Sequence, residues 1–232
     1  MIYVAAVDIN AFSDGELKIN ETVKKRIEKS ASESEKKLRA AAYHAMFLLL
    51  ERFFDDGCCP KQNLELRYTG EGKPYFDKPN DDNNGLQNVP SISISHDKLV
   101  AVAAISDSKT VGVDVQGASI PKRRMERVAA RFFAPVNKTE KISNGIDDDI
   151  KLFFVNGENL LDISEGFSVK ESDSEKETFD FLAKWTRLEA VMKAEGGGFS
   201  EYPSIEELLL SYKTKTFVLT KDKDEYVITI AK

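Results

Sequence analysis

The sequence predicts a mixed α and β protein, because strand-like and helix-like segments both recur along its length. Three strand-like stretches follow one another closely between residues 91 and 116, and two more close the chain over 216–230. Helical spacing of apolar residues occurs in separate segments before and after that group of strands. A chain of 232 residues is long enough to bury a substantial core, as one large domain or two small ones.

The strands are predicted from alternation or from short apolar runs. Residues 2–7 are rich in β-branched and aromatic side chains, and residues 91–95 alternate between serine and isoleucine. Residues 99–105 form a continuous apolar run, and residues 111–116 alternate between valine and small or polar residues. Because only a few residues link these last three strands, we expect them to form a meander.

Three helices are predicted, over residues 35–54, 121–133 and 179–195. Pro121 suits the first turn of the second helix. The glycines at 196–198 follow the third helix, and we expect them to end it. Glycine loops that bind phosphate precede a helix and use its N-terminal amides, so this run is not a phosphate-binding loop.

The composition excludes several classes of protein. Hydrophobic residues make up 41% of the chain and charged residues 31%, as in ordinary soluble globular proteins. No apolar stretch reaches the roughly 18 residues of a membrane span, and the N-terminus lacks the pattern of a signal peptide. The net charge of −6 argues against nucleic acid as the main partner, but it leaves a local basic patch open. Adjacent Cys58 and Cys59 fit neither a structural disulfide nor a zinc site, which favours a reduced, cytoplasmic setting.

Residues 143–178 form an unusually acidic segment. Three aspartates stand together at 147–149, and a second acidic run covers 171–175. Phe153 and Phe154 interrupt the acidic residues, which argues against complete disorder. We therefore expect an excursion or flap that carries a short hairpin.

The strand at 111–116 carries the first candidate site. Alternate side chains of a strand share a face, so its three valines are expected in the core, and Gly112, Asp114 and Gln116 on the opposite face. Asp and Gln supply the oxygen ligands that magnesium prefers, and the glycine allows a ligand to approach the backbone. The alternative is an edge strand with one solvated face, which alternation by itself favours.

The last predicted helix carries the second candidate site. Trp185, Leu188 and Met192 form an apolar stripe, and Glu189 and Lys193 lie one helical turn apart. Glu189 and Lys193 are close enough to act on one substrate. The alternative is an exposed ion pair on an amphipathic helix.

Weaker candidates lie in turns. His96 directly follows a strand and can donate a hydrogen bond to phosphate, or it can be a surface residue at the strand end. Lys73 and Pro74 lie in a glycine-containing turn, which presents a lysine on a stiffened backbone. His44 lies inside the first long helix, where we expect a packing residue.

These signals occur in an order that resembles the 4′-phosphopantetheinyl transferase superfamily, specifically its larger, pseudo-dimeric type. The resemblance rests on five blocks, which together span roughly residues 39–199. The blocks are Gly72-Lys73-Pro74-Tyr75; Ser93-Ile94-Ser95-His96; Val111-Gly112-Val113-Asp114-Val115; Arg131-Phe132-Phe133 with Glu140; and Trp185-Thr186 with Glu189-Ala190 and Lys193.

The resemblance implies a particular fold. It is an α+β fold of two similar halves, each a helix packed on an antiparallel sheet, related by a pseudo-twofold axis. The halves would cover residues 1–107 and 108–232, with the acidic excursion near 143–178 inside the second half. Coenzyme A would bind in the cleft between them.

The resemblance also implies an enzyme, a holo-[acyl-carrier-protein] synthase or 4′-phosphopantetheinyl transferase. It would move the phosphopantetheine of coenzyme A onto a serine of an acyl or peptidyl carrier protein and release 3′,5′-ADP. Such an enzyme serves the biosynthesis of fatty acids, polyketides or nonribosomal peptides, and we expect a cytoplasmic monomer without membrane or nucleic-acid partners. The implied magnesium ligands are Asp114, Gln116 and Glu189; the implied catalytic residues are Glu189 and Lys193; and the implied coenzyme A ligands are Lys73, Pro74, Ser95, His96 and Arg39.

Two residues depart from the family pattern. Gln116 stands where an acidic residue is usual, which removes one negative charge from the metal site. Leu188 stands where a lysine usually precedes the helix glutamate, which removes a cation expected near the reacting groups. The alternative function is therefore a degenerate relative that binds coenzyme A or a carrier protein without transfer. A magnesium-dependent nucleotide hydrolase is a more distant alternative.

The basic segment at 122–127 offers a partner hypothesis. Carrier proteins present an acidic helix beside their reactive serine, and a basic helix would attract it despite the negative total charge. The alternative is a solvated helix face.

Overall fold

A computed structural model describes most of the chain. It describes residues 1–12, 19–59, 63–77, 89–133, 149–170, 177–197 and 205–232. Several expectations from the sequence lie outside these ranges. They are Glu140, residues 147–148 of the first acidic run, the second acidic run at 171–175, and Gly198.

The described residues form eleven strands, five α-helices and a short 3₁₀ helix (Ile163–Glu165). The strands are β1 (Ile2–Asp8), β2 (Glu65–Tyr68), β3 (Pro74–Asp77), β4 (Ser91–Asp97), β5 (Val100–Ser106), β6 (Gly112–Gly117), β7 (Ile150–Asn156), β8 (Asn159–Asp162), β9 (Ser168–Lys170), β10 (Thr214–Lys221) and β11 (Asp224–Ala231). The helices are α1 (Glu21–Ile27), α2 (Glu33–Asp55), α3 (Lys122–Phe132), α4 (Glu177–Glu195) and α5 (Ile205–Leu210). None of these helices is both long and apolar enough to span a membrane.

The first sheet has five strands in the order β4-β5-β1-β7-β8. Strand β1 pairs antiparallel with β5 but parallel with β7, where Ala5 lies opposite Phe153. The strands of residues 1–107 therefore pair antiparallel with one another, as expected, but the sheet as a whole is not antiparallel, because β7 from the predicted second half adds to it in parallel. Helix α2 packs on this sheet through a large apolar cluster that includes Met46 and Leu49.

The second sheet has four strands in the order β6-β11-β10-β9, and every pairing in it is antiparallel. The predicted meander is correct for β4 and β5 but wrong for β6, which pairs with β11 instead of β5. Local alternation specifies a strand and its faces, whereas the strand that it pairs with depends on contacts far along the chain.

The two sheets stack face to face between the two long helices. Ile2, Val4 and Ala6 of β1 share a buried cluster with Val113 and Val115 of β6. Helix α2 covers the outer face of the first sheet, and α4 packs on β6 and β11 of the second. The molecule therefore has the layers helix, sheet, sheet, helix, as an α+β protein, while the pseudo-twofold relation between the halves stays a prediction.

The described residues of the acidic segment at 143–178 contribute strands to both sheets. Strands β7 and β8 form the expected hairpin, and this hairpin extends the first sheet, while β9 is the edge strand of the second. The hairpin follows the predicted boundary between residues 107 and 108 in sequence, yet it completes the sheet of the preceding half. At its turn, the carbonyl of Gly157 bonds to the ring of buried His44, which is a packing residue as expected. Cys58 and Cys59 do not form a disulfide, as expected.

Candidate functional site

The candidate site is a cleft of about 650 Å³ between the two sheets and their helices. One side comes from α1, α2, the β2–β3 turn and β4, and the other from β6, α3 and α4. All nine site residues predicted from the sequence line this one cleft: Arg39, Lys73, Pro74, Ser95, His96, Asp114, Gln116, Glu189 and Lys193.

Strand β6 divides its side chains as its alternation predicts. Its valines, together with Val111, are fully buried between the sheets, and Asp114 and Gln116 line the cleft. Gly112 faces α4, where a Cβ atom would lie only 1.8 Å from the carbonyl oxygen of Ala190. Only glycine therefore lets α4 lie directly on β6, which brings the helix carboxylate beside the strand carboxylate.

Alternate residues of β4 join the two sheets through their side chains. The Ser93 hydroxyl accepts the amide of Val113 at 3.1 Å, and the Asp97 carboxylate accepts the amide of Gly117 at 2.8 Å. Between them, the Ser95 hydroxyl donates to Asp114 Oδ1 at 2.8 Å. The alternating serines predicted a strand, and the structure shows that they also fasten β4 to β6.

Asp114 is the most buried charged group of the cleft, with a side chain only 3% exposed. Its Oδ1 accepts a hydrogen bond from Lys193 Nζ at 2.7 Å, in addition to the one from Ser95. Lys193 Nζ also lies 2.7 Å from the Ser95 hydroxyl, so the three groups form a closed triangle. The second carboxylate oxygen, Oδ2, is buried and has no hydrogen-bond partner among the described residues.

Glu189 lines the cleft next to this triangle. Burial, and secondly the negative charge of Asp114, raises the pKa of the Glu189 carboxyl, while Lys193 opposes the shift. A carboxylate with a raised pKa is a stronger base than an exposed one, and such shifts are common where proton transfer occurs. The spacing of Glu189 and Lys193 therefore places a base and a cation on one side of the cleft.

The oxygen atoms at this point suit magnesium. Among the described residues, no group of three or more His, Cys, Asp or Glu side chains comes together as a metal site. The available donors are instead the carboxylates of Asp114 and Glu189 and the amide of Gln116. Magnesium typically binds one or two protein carboxylates and completes its shell with water and phosphate oxygens, so the residues fit this ion. The free Oδ2 of Asp114 supplies a buried ligand atom without a competing bond.

His96 lies in a cationic part of the cleft. Burial, then the charges of Arg39 and Lys193, lowers the pKa of the His96 ring. Arg39 is held by Glu35 through an ion pair of 2.6 Å, and Glu35 is fixed at the start of α2, where Ser32 accepts its amide. A phosphate placed here would favour the protonated ring, because its negative charge offsets the charges of Arg39 and Lys193.

Lys73 connects the two sides of the cleft. Its ammonium donates to the carbonyl of Ala194 in the last turn of α4, and burial lowers its pKa. Gly196, which ends α4 with a φ of +88°, lies against the same side chain. The β2–β3 turn thus holds Lys73 at the C-terminus of α4, where a cation is favourable.

The structure adds residues that sequence reasoning missed. Arg26 of α1 lines the cleft, donates to the carbonyl of Gly72 at 3.1 Å and lies 4.0 Å from the Tyr68 ring centre. Tyr43 lines the cleft from α2. Arg124, which the sequence suggested only as part of a basic segment for a partner, also lines the cleft from α3. The charged segment around Arg26 gave no periodic signal, and only the fold brings this arginine to the site.

The charges of the cleft suit an anionic ligand. Among the described residues, five arginine or lysine side chains line it, against three carboxylates, although the whole chain carries a net charge of −6. The cationic residues are Arg26, Arg39, Lys73, Arg124 and Lys193, and the carboxylates are Glu71, Asp114 and Glu189. A cleft with this charge concentrates anions locally, whatever the average charge of the protein.

The two departures from the family pattern have different outcomes. Gln116 lines the cleft, so its missing charge concerns the site directly. Leu188 is fully buried in an apolar cluster of α4 that includes Leu208 of α5, and it does not line the cleft. Arg187 points to α5, where it donates to the carbonyl of Leu209. In this chain, the side chain at position 188 is therefore part of the hydrophobic core.

Comparison with known proteins adds an independent result. No protein-family model matches the chain. A protein of Synechocystis sp. named "Putative 4′-phosphopantetheinyl transferase slr0495" is 27% identical to this chain over 157 residues. These residues make up 67% of this chain and 48% of the Synechocystis protein, so the match spans about half the length of that relative. This similarity confirms that the chain resembles the 4′-phosphopantetheinyl transferase superfamily, as its five sequence blocks predict.

Proposed function

We propose that the protein transfers the 4′-phosphopantetheine group of coenzyme A to a serine of an acyl or peptidyl carrier protein, with magnesium, and releases 3′,5′-ADP. The observation that carries this proposal is the convergence of Asp114, Glu189 and Lys193 with His96 and Lys73 in one cleft. These residues come from the sequence blocks that resemble the transferases. The cleft volume, about 650 Å³, lies within the range of small-molecule and cofactor sites.

The cationic residues account for binding of coenzyme A, which carries three phosphate groups. His96 and Arg39 lie together and offer donors to a terminal phosphate, with Ser95 beside them on the same strand. Lys73 and Pro74 also line the cleft, and the nucleotide end of the ligand would lie beside them. Arg26 supplies a further cation from α1.

Magnesium would be held by Asp114 and Glu189, with Gln116 as an amide ligand. When bound, the ion would neutralise charge on the pyrophosphate that repels the attacking serine. The amide of Gln116 leaves the site one negative charge short of three carboxylates. We therefore expect magnesium to bind in the ligand-free protein more weakly than it would at three carboxylates.

The protein groups then account for the transfer. The serine oxygen of the carrier forms a bond to the phosphorus that bears the pantetheine arm, and the bond from that phosphorus to the bridging oxygen breaks. Glu189 accepts the serine proton, and its raised pKa makes it a competent base. Lys193, one helical turn further, neutralises the charge that develops on the departing 3′,5′-ADP.

Helix α3 is the proposed docking site for the carrier protein. Its cationic residues are Lys122, Arg123, Arg124, Arg127 and Arg131, and none of its residues is buried. Arg124 lines the cleft, so this basic surface is continuous with the proposed active site. An acidic helix beside the carrier serine would be attracted to it. A cytoplasmic, monomeric protein stays a prediction from the sequence.

The proposal is tested by incubating the protein with magnesium, coenzyme A and a panel of apo carrier proteins. Intact-mass measurement should show an adduct of roughly 340 Da, the mass of the transferred group. A variant with the carrier serine replaced by alanine should show none. If coenzyme A binds but no carrier gains the adduct, the protein is a binding module, and the transfer proposal is wrong. Release of 3′,5′-ADP without any carrier would indicate a hydrolase.

A further inference from the structure

The position of the Lys193 ammonium is unexpected for a residue that acts on a leaving group. It lies 2.7 Å from Asp114 Oδ1, and it also donates to Ser95 at 2.7 Å. The two bonds hold the ammonium beside the carboxylate of Asp114, which is also the most buried of the proposed magnesium ligands. The same lysine is thus placed where it competes with a divalent cation for one carboxylate.

The burial of Asp114 explains why it needs a partner. Its side chain is 3% exposed, and a buried carboxylate without a compensating charge or full hydrogen bonding is strongly unfavourable. Lys193 and Ser95 satisfy Oδ1, whereas Oδ2 has no partner within the described part of the chain. In the ligand-free protein, the charge of the Asp114 carboxylate is therefore neutralised by Lys193.

A divalent cation bound by Asp114 would lie within a few ångströms of the ammonium. Two cations at that distance repel one another strongly in a cleft of reduced dielectric. Lys193 has room to move, because its side chain is 30% exposed and carries its charge on a flexible four-carbon stem. Asp114, fixed in strand β6 of the second sheet, has no such freedom.

We propose that Lys193 is the counter-ion of Asp114 in the metal-free protein, and that a divalent cation displaces its ammonium toward the ligand phosphates. The proposal rests on the magnesium role proposed above. It assigns Lys193 two successive partners: Asp114 before the metal binds, and the phosphate of the leaving nucleotide afterwards. Metal binding and phosphate binding are then coupled, because the first releases the cation that serves the second.

The exchange is tested by metal affinity in the absence of substrate. Binding of Mn²⁺, a paramagnetic ion with similar oxygen ligands, is measured by electron paramagnetic resonance on metal-free wild-type, Lys193→Met and Lys184→Met proteins. Lys184→Met is the matched control, because Lys184 lies on the same helix but does not line the cleft. We expect Lys193→Met to bind Mn²⁺ about tenfold more tightly, a typical coupling between two sites, and Lys184→Met to bind like the wild type. If Lys193 had only a structural role, its replacement by methionine would not raise the affinity for Mn²⁺.

Thermal unfolding gives a second measurement on the same variants. In excess chelator, Lys193→Met should unfold at a temperature at least about 5 °C lower than the wild type, because Asp114 loses its counter-ion. Saturating Mn²⁺ should remove most of that difference. If Lys193→Met does not fold, nitrogen NMR of the lysine side chains in the wild type provides the test. The Lys193 signal, assigned through bond correlations from its own backbone in the wild type, should shift when Mg²⁺ is added.

The outcomes separate the two proposals. Equal Mn²⁺ affinity in wild-type and Lys193→Met proteins, or an unchanged Lys193 signal in a magnesium-bound protein, overturns the exchange but leaves the magnesium role intact. Coenzyme A binding without any Mn²⁺ binding, in wild type and variant alike, overturns the magnesium role and the exchange together.

Discussion

The carbonyl oxygen of Ala190 in helix α4 lies directly over the α carbon of Gly112 in strand β6. A Cβ atom at Gly112 would lie 1.8 Å from that oxygen and 2.7 Å from the amide nitrogen of Ala194. Both obstacles are backbone atoms of a buried helix, so they cannot move aside as a side chain would. This contact sets the distance between the strand that carries Asp114 and the helix that carries Glu189 and Lys193.

Gly112→Ala should therefore separate α4 from β6. We expect the free energy of unfolding to fall by about 1–3 kcal/mol, as in other overpacked cores, and transfer activity to fall with it. Thermal unfolding should show a decrease of roughly 2–4 °C for each kcal/mol. Gly70→Ala is the control, because a Cβ atom there has no neighbour within 4 Å. Equal stability of the two variants would contradict the close contact.

Glu189→Gln should abolish the base without changing the shape of the side chain. We expect the rate of transfer to fall by about 10²- to 10⁴-fold, the usual contribution of a positioned base. The measurement is the rate of adduct formation on a carrier protein at saturating coenzyme A. Glu195→Gln, at the exposed end of the same helix, is the control and should keep wild-type activity. A wild-type rate in Glu189→Gln would refute both the base and the metal role of this residue.

Charge reversal on α3 should weaken carrier binding but leave coenzyme A binding unchanged. Arg123 and Arg127 are the best targets, because Arg124 lines the cleft and its replacement would confound the two effects. We expect Arg123→Glu with Arg127→Glu to raise the KM for the carrier on the order of tenfold at low salt, and less at high salt. The double variant Lys29→Glu with Lys223→Glu, at exposed positions elsewhere, has the same net charge and serves as control. The docking hypothesis is wrong if both double variants raise KM equally.

His96 should make stability depend on pH just below neutrality. Its pKa in the folded protein lies below the ordinary 6.5, because of burial and the charges of Arg39 and Lys193. Between these two pKa values the unfolded chain binds more protons than the folded protein does, so the free energy of unfolding increases with pH. The contribution of His96 to stability is therefore present above pH 6.5 and decreases as the pH falls below that value. His96→Gln should flatten this part of the stability profile, as measured by denaturant unfolding at a series of pH values.

Ligand binding should shift the pKa of His96 in the opposite direction, upwards. The chain has two histidines, and the ring signal missing from His96→Gln identifies this one by NMR. We expect its pKa to rise when 3′,5′-ADP binds, because a phosphate favours the protonated ring. A pKa at or above 6.5 in the ligand-free protein would contradict the burial and the cationic surroundings of the ring.

The limits of sequence reasoning are clearest at β6 and Leu188. Alternation correctly assigned the valines of β6 to the core and Asp114 to the opposite face, since the side-chain period of a strand is a local property. The same pattern could not show that β6 pairs with β11, whose residues lie more than a hundred positions later. Helical spacing likewise placed Leu188 in an apolar stripe, but only its packing against Leu208 shows that it faces away from the cleft.

By itself, the sequence determined the types of the main elements, the inward and outward faces of β6, the end of α4 at its glycines, and the resemblance to the 4′-phosphopantetheinyl transferase superfamily. Each of these depends on residues close together in the chain or on the order of short blocks. Only the tertiary structure decided that β7 runs parallel to β1, that Arg26 reaches the cleft, and that the Lys193 ammonium lies against Asp114. These contacts join residues far apart in the chain; Lys193 and Asp114, for example, are 79 positions apart. No local periodicity can predict which distant groups meet when the sheets stack.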